Sequence, residues 1–272
     1  MKFKYLVIIF SVFMFFIILS AILLPLLLAG PEFFKYIQHF ILPLVAFLVL
    51  ILIIMSLFFL FNYRLFSLLE REDWPALSFY LEKQIFEKGR YSSRNVRLLA
   101  SSYLVISDYS SVIKLEKKAL SASPSAVREN VLVFGSARIL NGNHNESAAF
   151  FKSYTGKGKK NENLWIQWFY GFSLLLSGDF SSAEPEFVTL VLSSGDALII
   201  GLSSYFLDNA ILKHSMKTKE CANTAESGKQ QVRKSLKNLK GWQKEIDKMG
   251  TDIHAAIIKK YFDEAGRWIF SL

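Results

Sequence analysis

The side chains best suited to chemistry are scattered along this chain. Four histidines, His39, His144, His214 and His254, lie far apart in 272 residues, and none has a partner at metal-ligand spacing. Cys221 is the only cysteine, so no intramolecular disulfide can form and no oxidising compartment is needed. The sequence contains no G-x-S-x-G, no H-E-x-x-H and no dinucleotide glycine pattern. Gly156-Lys157-Gly158-Lys159 brings glycine and lysine together as phosphate loops do. The spacing G-x-x-x-x-G-K-[ST] is nevertheless missing, and Lys160 stands where Ser or Thr should follow. The stretch from Tyr154 to Asn161 therefore reads as an exposed loop. These residues predict no catalytic group, no cofactor and no metal, and so a protein that is not an enzyme.

Charge is the remaining candidate for function. Residues 213–272 carry 13 Lys and Arg against seven Asp and Glu, which is +6 of the chain's +9. Within them Lys229, Arg233, Lys237, Lys240, Lys244 and Lys248 recur at steps of 4, 4, 3, 4 and 4. At 100° per residue they form one stripe, with Val232, Leu236, Leu239, Trp242, Ile246 and Met249 on the opposite arc. The expectation is one basic amphipathic helix, broken only by Gly241. Two readings stand beside each other. The lysines either solvate the outer face of a terminal helix, or touch anionic lipid or an acidic partner. Nucleic acid is not expected, because no recognised binding module accompanies them. After this helix, Ile253, Ile257, Tyr261, Ala265, Trp268 and Ile269 recur at helical spacing, and Trp268 and Phe270 near the end read as packing anchors or as an exposed hook for another subunit.

The elements that position these residues begin with two apolar runs. No charge occurs from Tyr5 to Ala29, or from Phe40 to Phe61, runs of 25 and 22 residues. At about 1.5 Å per residue each is long enough to cross a hydrocarbon layer of roughly 30 Å. A cleaved signal peptide fits the first run less well: its apolar length exceeds the usual signal core, and Leu27-Leu28-Ala29 is a poor cleavage site. A membrane hairpin over residues 1–62 is expected, with helices at about 5–29 and 40–62. The connector Pro31–Tyr36 reads as a short aromatic turn in the headgroup layer. Lys2 and Lys4 precede the first run, and Arg64, Arg71, Lys83, Lys88, Arg90 and Arg94 follow the second. The positive-inside rule then places both termini on the cytoplasmic side of the cytoplasmic membrane. No proline or glycine lies between Pro43 and Pro75, so the second helix should run on into the first helix of the next domain.

Beyond Asn62 the texture becomes helical with a period. Glu72-Asp73-Trp74, Ser107-Asp108-Tyr109, Asn143-His144-Asn145 and Gly178-Asp179-Phe180 centre on 73, 108, 144 and 179. Four residues after each centre stand Leu77, Val112, Ala148 and Ala183, and eight before stand Leu65, Ala100, Ser136 and Gly171. Each unit reads as helix, tight turn, helix, with small residues where the two backbones approach. Such pairs must stack on neighbours to bury both apolar faces.

On these residues the chain resembles the tetratricopeptide repeat family. Leu99-Ala100-x-x-Tyr103, Asp108-Tyr109, Ala119-Leu120 and Pro124 carry the resemblance in one unit. Gly171-x-x-Leu174, Gly178-Asp179-Phe180, Ala183 and Phe187 carry it in another. The unit around His144 departs from the pattern, with no aromatic after its turn. The resemblance implies an all-α solenoid over residues 63–215, capped by residues 216–272 as a basic capping helix and a C-terminal helix. It also implies a groove that holds protein partners. That family's carboxylate clamp uses Lys, Arg and Asn; Arg97 fills one such place with no matching set, so the ligand is not identified. The expected function is a membrane-anchored adaptor or assembly scaffold. The alternative is a structural subunit of a larger envelope machine for secretion, motility or division, in a hetero-oligomer and with the repeat domain on the cytoplasmic or the extracytoplasmic side.

Overall fold

The computed structural model describes residues 3–156, 160–214, 219–250 and 253–271. Every regular element among them is helical, and the chain divides into two compact units, Met1–Tyr80 and Leu81–Leu272.

The first unit is built on α1 (Phe3–Glu70), interrupted at Gly30, whose φ of 81° and ψ of 171° lie outside the helical region. Glycine alone takes that geometry without steric cost. Pro31 follows directly, where the first helical position needs no N–H donor, so the backbone is helical again at once. The turn expected over Pro31–Tyr36 is therefore a single-residue break. Two segments, Val7–Leu28 and Gln38–Glu70, are long and apolar enough to cross a membrane. Met14 and Leu65 are the only buried hydrophobics among the described side chains of α1. An apolar surface exposed all round suits lipid and would be costly in water. The second limb passes residue 62 unbroken to Glu70, and α2 (Trp74–Glu82) begins after a tight turn.

The second unit continues from α2 through a π-turn over Lys83–Glu87. Helices α3 (Ser93–Val105), α4 (Tyr109–Ala122) and α5 (Pro124–Arg128) follow. Next come α6 (Val131–Leu140), α7 (His144–Tyr154), α8 (Lys160–Leu176), α9 (Phe180–Ser193) and α10 (Ala197–Phe206). A second π-turn and the short α11 (Leu212–His214) lead to α12 (Lys219–Leu236), α13 (Leu239–Lys248), α14 (Ile253–Ile257) and α15 (Lys259–Phe270). Of the loop expected at 154–161, Tyr154 ends α7 and Lys160 and Asn161 open α8, so the break is shorter, and its residues 157–159 lie outside the described chain. The expected boundary at residues 215/216 also lies outside it.

Four turns share one geometry. Glu72, Ser107, Gly142 and Gly178 all have positive φ, between 53° and 81°. After each, the N–H of Asp73, Asp108, Asn143 or Asp179 reaches back to the carbonyl five residues earlier, on Leu68, Tyr103, Arg138 or Leu174. This closes the preceding helix with a left-handed C-terminal cap. Asp73, Asp108 and Asp179 then cap the next helix, accepting from the N–H three residues on at 3.1 Å in each case. The third turn therefore centres on Asn143 and not on His144, which is the first residue of α7. The spacings become 35, 35 and 36, because Gly142 takes the left-handed place that Ser107 and Gly178 take elsewhere.

With that shift the packing aligns. Four residues after each cap, Leu77, Val112, Ser147 and Ala183 are fully buried. Eight before, Ala100, Gly135 and Gly171 are small, and eight after, Glu116, Phe151 and Phe187 are buried. A Cβ on Gly135 would overlap the Phe151 ring, and one on Gly171 would sit 3.3 Å from the Phe187 ring. Absence of a side chain thus sets how closely α6 approaches α7, and α8 approaches α9. A further hairpin pairs α10 with α12, burying Cys221, Thr224, Ala225, Gly228 and Val232 of α12. Residues 219–236 are thus the second helix of a packed pair, and Trp242, Phe262 and Ile269 of α13 and α15 join the same core.

Candidate functional site

The basic stripe does not lie on one helix. The break comes at Lys237, with φ 62°, followed by Asn238, whose side chain accepts the Gly241 N–H at 3.0 Å and starts α13. Gly241 is inside α13 and does not interrupt it. The apolar phase survives because the two-residue turn leaves Val232 and Trp242 both facing the interior.

Nor are the six basic residues equivalent. The Lys229 ammonium lies 4.5 Å over the Trp268 ring. The Arg233 guanidinium donates from Nε to the Ile269 carbonyl and, at 2.6 Å, to the Ser271 carbonyl, closing the C-terminal end of α15. Lys248 donates to Glu245 at 2.6 Å. Lys237, Lys240 and Lys244 are exposed, and no acidic side chain among the described residues pairs with them. Of the six residues, the first two thus hold α15 in place and three face outward without a partner.

The face made by the first helices of the hairpins is covered by the chain itself. Trp165 of α8 meets His254 at 6.3 Å and Phe262 at 6.4 Å, Phe169 meets His254 at 6.2 Å, and Phe172 meets Tyr261 at 5.4 Å. From α10, Phe206 meets Tyr261 at 5.1 Å and Tyr205 meets Trp268 at 6.0 Å. α14 also packs against α6. Trp242 of α13 donates to the Phe262 carbonyl at 3.0 Å and fills the space left by Gly201 and Gly266. Two further bonds fix α15: the Tyr205 hydroxyl donates to Glu264 at 2.9 Å and the Trp268 indole to Asp208 at 3.0 Å. Burial and the Glu264 contact push the Tyr205 hydroxyl up to about 12. The expected C-terminal anchors Trp268 and Phe270 are half-buried against the core, while Ala265 and Ile269 of the same helix are fully buried. Their contacts are internal.

On α3, by contrast, the equivalent places are taken by Arg94, exposed, and by Leu98 and Ser101, half-exposed. Arg97 is exposed beside them.

One ion pair lies at the junction of two hairpins. Arg138 of α6 meets Glu116 of α4 at 2.6 Å, with their side chains 8% and 9% exposed. Arg138 also lies 4.1 Å over the Phe150 ring and donates to the Phe134 carbonyl at 3.1 Å. Glu116 occupies the place filled by Phe151 and Phe187 in the next two hairpins, so periodicity gave no sign of it.

The remaining reactive side chains are dispersed. Cys221 is 1% exposed, and burial, with Glu184 beside it, pushes its thiol up to about 11. His214 stacks on Phe180 at 4.5 Å, and the His39 ring lies tilted against Phe40 at 4.1 Å. Among the described residues no group of three or more His, Cys, Asp or Glu side chains is placed to hold a metal ion. An open groove of about 560 Å³ runs between Leu164, Asp196, Ser235, Glu245 and Met249. Its floor is mixed in polarity, and its carboxylates already accept internal bonds.

The family described as an uncharacterised Treponema protein matches residues 111–271, more than half of the sequence. The chain belongs to that family. The matched stretch starts in the first turn of α4 and includes both α12 and the α14–α15 segment that covers the first-helix face. The chain is also similar to an uncharacterised protein of Treponema pallidum (strain Nichols), at 31% identity over 165 residues. That alignment takes in 61% of this chain and 52% of the relative, so the chain spans about half the relative's length. No solved structure matches it.

Proposed function

We propose that the protein is a membrane-anchored assembly scaffold, held in the bilayer by the two limbs of α1 and binding partner proteins through its helical hairpins. The observation that carries this reading is the coexistence, in one chain, of two nearly uncovered apolar limbs and a folded array of hairpins. The array is read as a tetratricopeptide-like solenoid. Its support is the recurrence of one turn geometry at steps of 35, 35 and 36, with small residues eight before the cap. Since α14 and α15 cover the first helices of the later hairpins, partner contact is assigned to surface outside that stretch. The exposed α3 face around Arg94, Arg97 and Leu98, and the half-exposed Val105 and Leu140 beside the turns, are the places proposed. The basic residues that flank α1 support a cytoplasmic location for both termini and for the hairpins.

A structural subunit of a larger envelope assembly is the second reading. It is favoured by a crevice of about 160 Å³ between the α1 limbs, lined by Val7, Phe10, Ser11, Leu52, Met55 and Ser56, which would take a side chain projecting from a neighbouring transmembrane helix.

Photo-crosslinkers placed in the full chain in its own membranes separate the two. A scaffold gives one reproducible heterologous crosslink from Val105 or Arg94. A membrane subunit gives it from Ser11 or Ser56. A chain that crosslinks to nothing from either set contradicts both.

A further inference from the structure

The corner between α12 and α13 is more specific than a solvated face requires. From Lys234 to Lys244 the chain carries four lysines, Lys234, Lys237, Lys240 and Lys244, and no acid. All four are exposed, and none pairs with an acidic side chain among the described residues. The other basic residues nearby differ: Lys229 and Arg233 bind α15, and Lys248 is held by Glu245. At the first position of α13, between Lys237 and Lys240, stands Leu239, 47% exposed. The turn is rigidly built, since Lys237 takes a positive φ, Asn238 caps α13, and Trp242 is fixed by its bond to the Phe262 carbonyl.

We propose that this corner docks on an anionic lipid surface, the lysines reaching headgroup phosphates and Leu239 entering the interface between them. The proposal rests on the membrane-anchored reading, because limbs embedded in a bilayer would hold the corner near lipid at high effective concentration. Charge complementarity selects the occupant. Four unneutralised ammonium groups on one corner favour anionic lipid by about fivefold each, and a half-exposed leucine adds apolar burial that a soluble anion would not supply. Leu239 rests on α15 beside Gly266 with one half of its side chain, and an acidic protein segment would satisfy the lysines but leave the other, exposed half uncovered.

The test uses the full chain reconstituted in vesicles containing a lipid-borne fluorescence quencher. The vesicles are of phosphatidylcholine alone, or with about one-third phosphatidylglycerol. A fluorophore is attached at Gln243→Cys on the outward side of α13, and separately at Val49→Cys within the second limb; native Cys221 is buried and stays unlabelled. Quenching at position 49 in both vesicle types reports the anchor. The proposal expects quenching at position 243 only with phosphatidylglycerol. It should disappear at roughly 1 M salt, where the screening length is ~3 Å. K237E/K240E should lower the docked-to-free ratio by about 25-fold or more, and Leu239→Ser should weaken it while keeping the dependence on anionic lipid. Quenching at 49 without quenching at 243 overturns the proposal and leaves the anchor standing. Shielding of position 243 by added polyglutamate, with no lipid quenching, overturns it in favour of an acidic protein partner. No quenching at 49 overturns the anchored reading itself.

Discussion

Arg138→Ala should be among the most damaging single substitutions in the hairpin array. It leaves the Glu116 carboxylate 9% exposed and without its charged partner, and it empties the space over the Phe150 ring. Removing one member of a buried ion pair typically costs about 3–5 kcal/mol. For a folded unit of this size, about 1 kcal/mol corresponds to ~2–4 °C in Tm, so a drop of roughly 6–20 °C is expected. The pair itself is not needed for stability. In neighbouring hairpins the same two places hold Phe151 and Phe187 (eight after the cap) and Tyr103 and Leu174 (five before it), all buried. Glu116→Leu combined with Arg138→Leu should therefore recover most of the loss, and could exceed the parent by about 1–4 kcal/mol. The assay is thermal unfolding of the full chain in mild detergent, followed by near-ultraviolet circular dichroism of the buried tryptophans. If Arg138→Ala melts within a few degrees of the parent, or the double variant is worse than the single one, the reasoning about this junction is refuted.

Other expectations follow from the same contacts. Gly135→Ala should destabilise by about 1–3 kcal/mol through overlap with Phe151. Gly171→Ala, with 3.3 Å to Phe187, should be close to neutral, since helix propensity returns up to about 1 kcal/mol; urea titration of both compares them. Phe262→Ala should cost about 3–5 kcal/mol, as for a core residue, and not be tolerated as it would be on an exposed hook. The hydrogen bonds from Ser111 hold the Asp108 carboxyl below its ordinary value, so its capping contribution is present above that value and lost as pH falls through the lowered one. Asp108→Ala should accordingly cost about 1 kcal/mol at neutral pH, and the gap from the parent should close in acid melts below the ordinary carboxylate range. Cys221, buried and with its thiol at about 11, should resist maleimide in the folded chain and react once urea unfolds it.

Much of this architecture was legible because local rules agreed with tertiary ones. The apolar runs of α1 admit few other structures, and Asp73, Asp108 and Asp179 announce their turns by capping chemistry. At the third turn, spacing alone points one residue late because Asn143-His144-Asn145 offers two capping side chains. The deciding signal is Gly142, which must precede the cap to take the left-handed conformation. The basic stripe reads as continuous because a two-residue turn preserves the helical phase, and the sign of the break is Asn238, a good cap three residues before Gly241. The return of α14 and α15 onto the first-helix face could not be read locally. Trp165 and Phe262 are almost a hundred positions apart, and amphipathic spacing says that a face is buried without saying which face buries it. Glu116 and Arg138 were hidden for the opposite reason, since a pair of charges breaks the apolar pattern at both of its places.

The most direct test of the account is whether α1 anchors the folded chain. Membranes containing the full chain would be extracted at high salt and then with alkaline carbonate, alongside the same chain lacking residues 3–62. The account predicts that the full chain stays in the membrane pellet through both treatments, while the shortened chain is released. Release of the full chain by carbonate, with the protein still folded before treatment as judged by unreactive Cys221, would contradict the central claim.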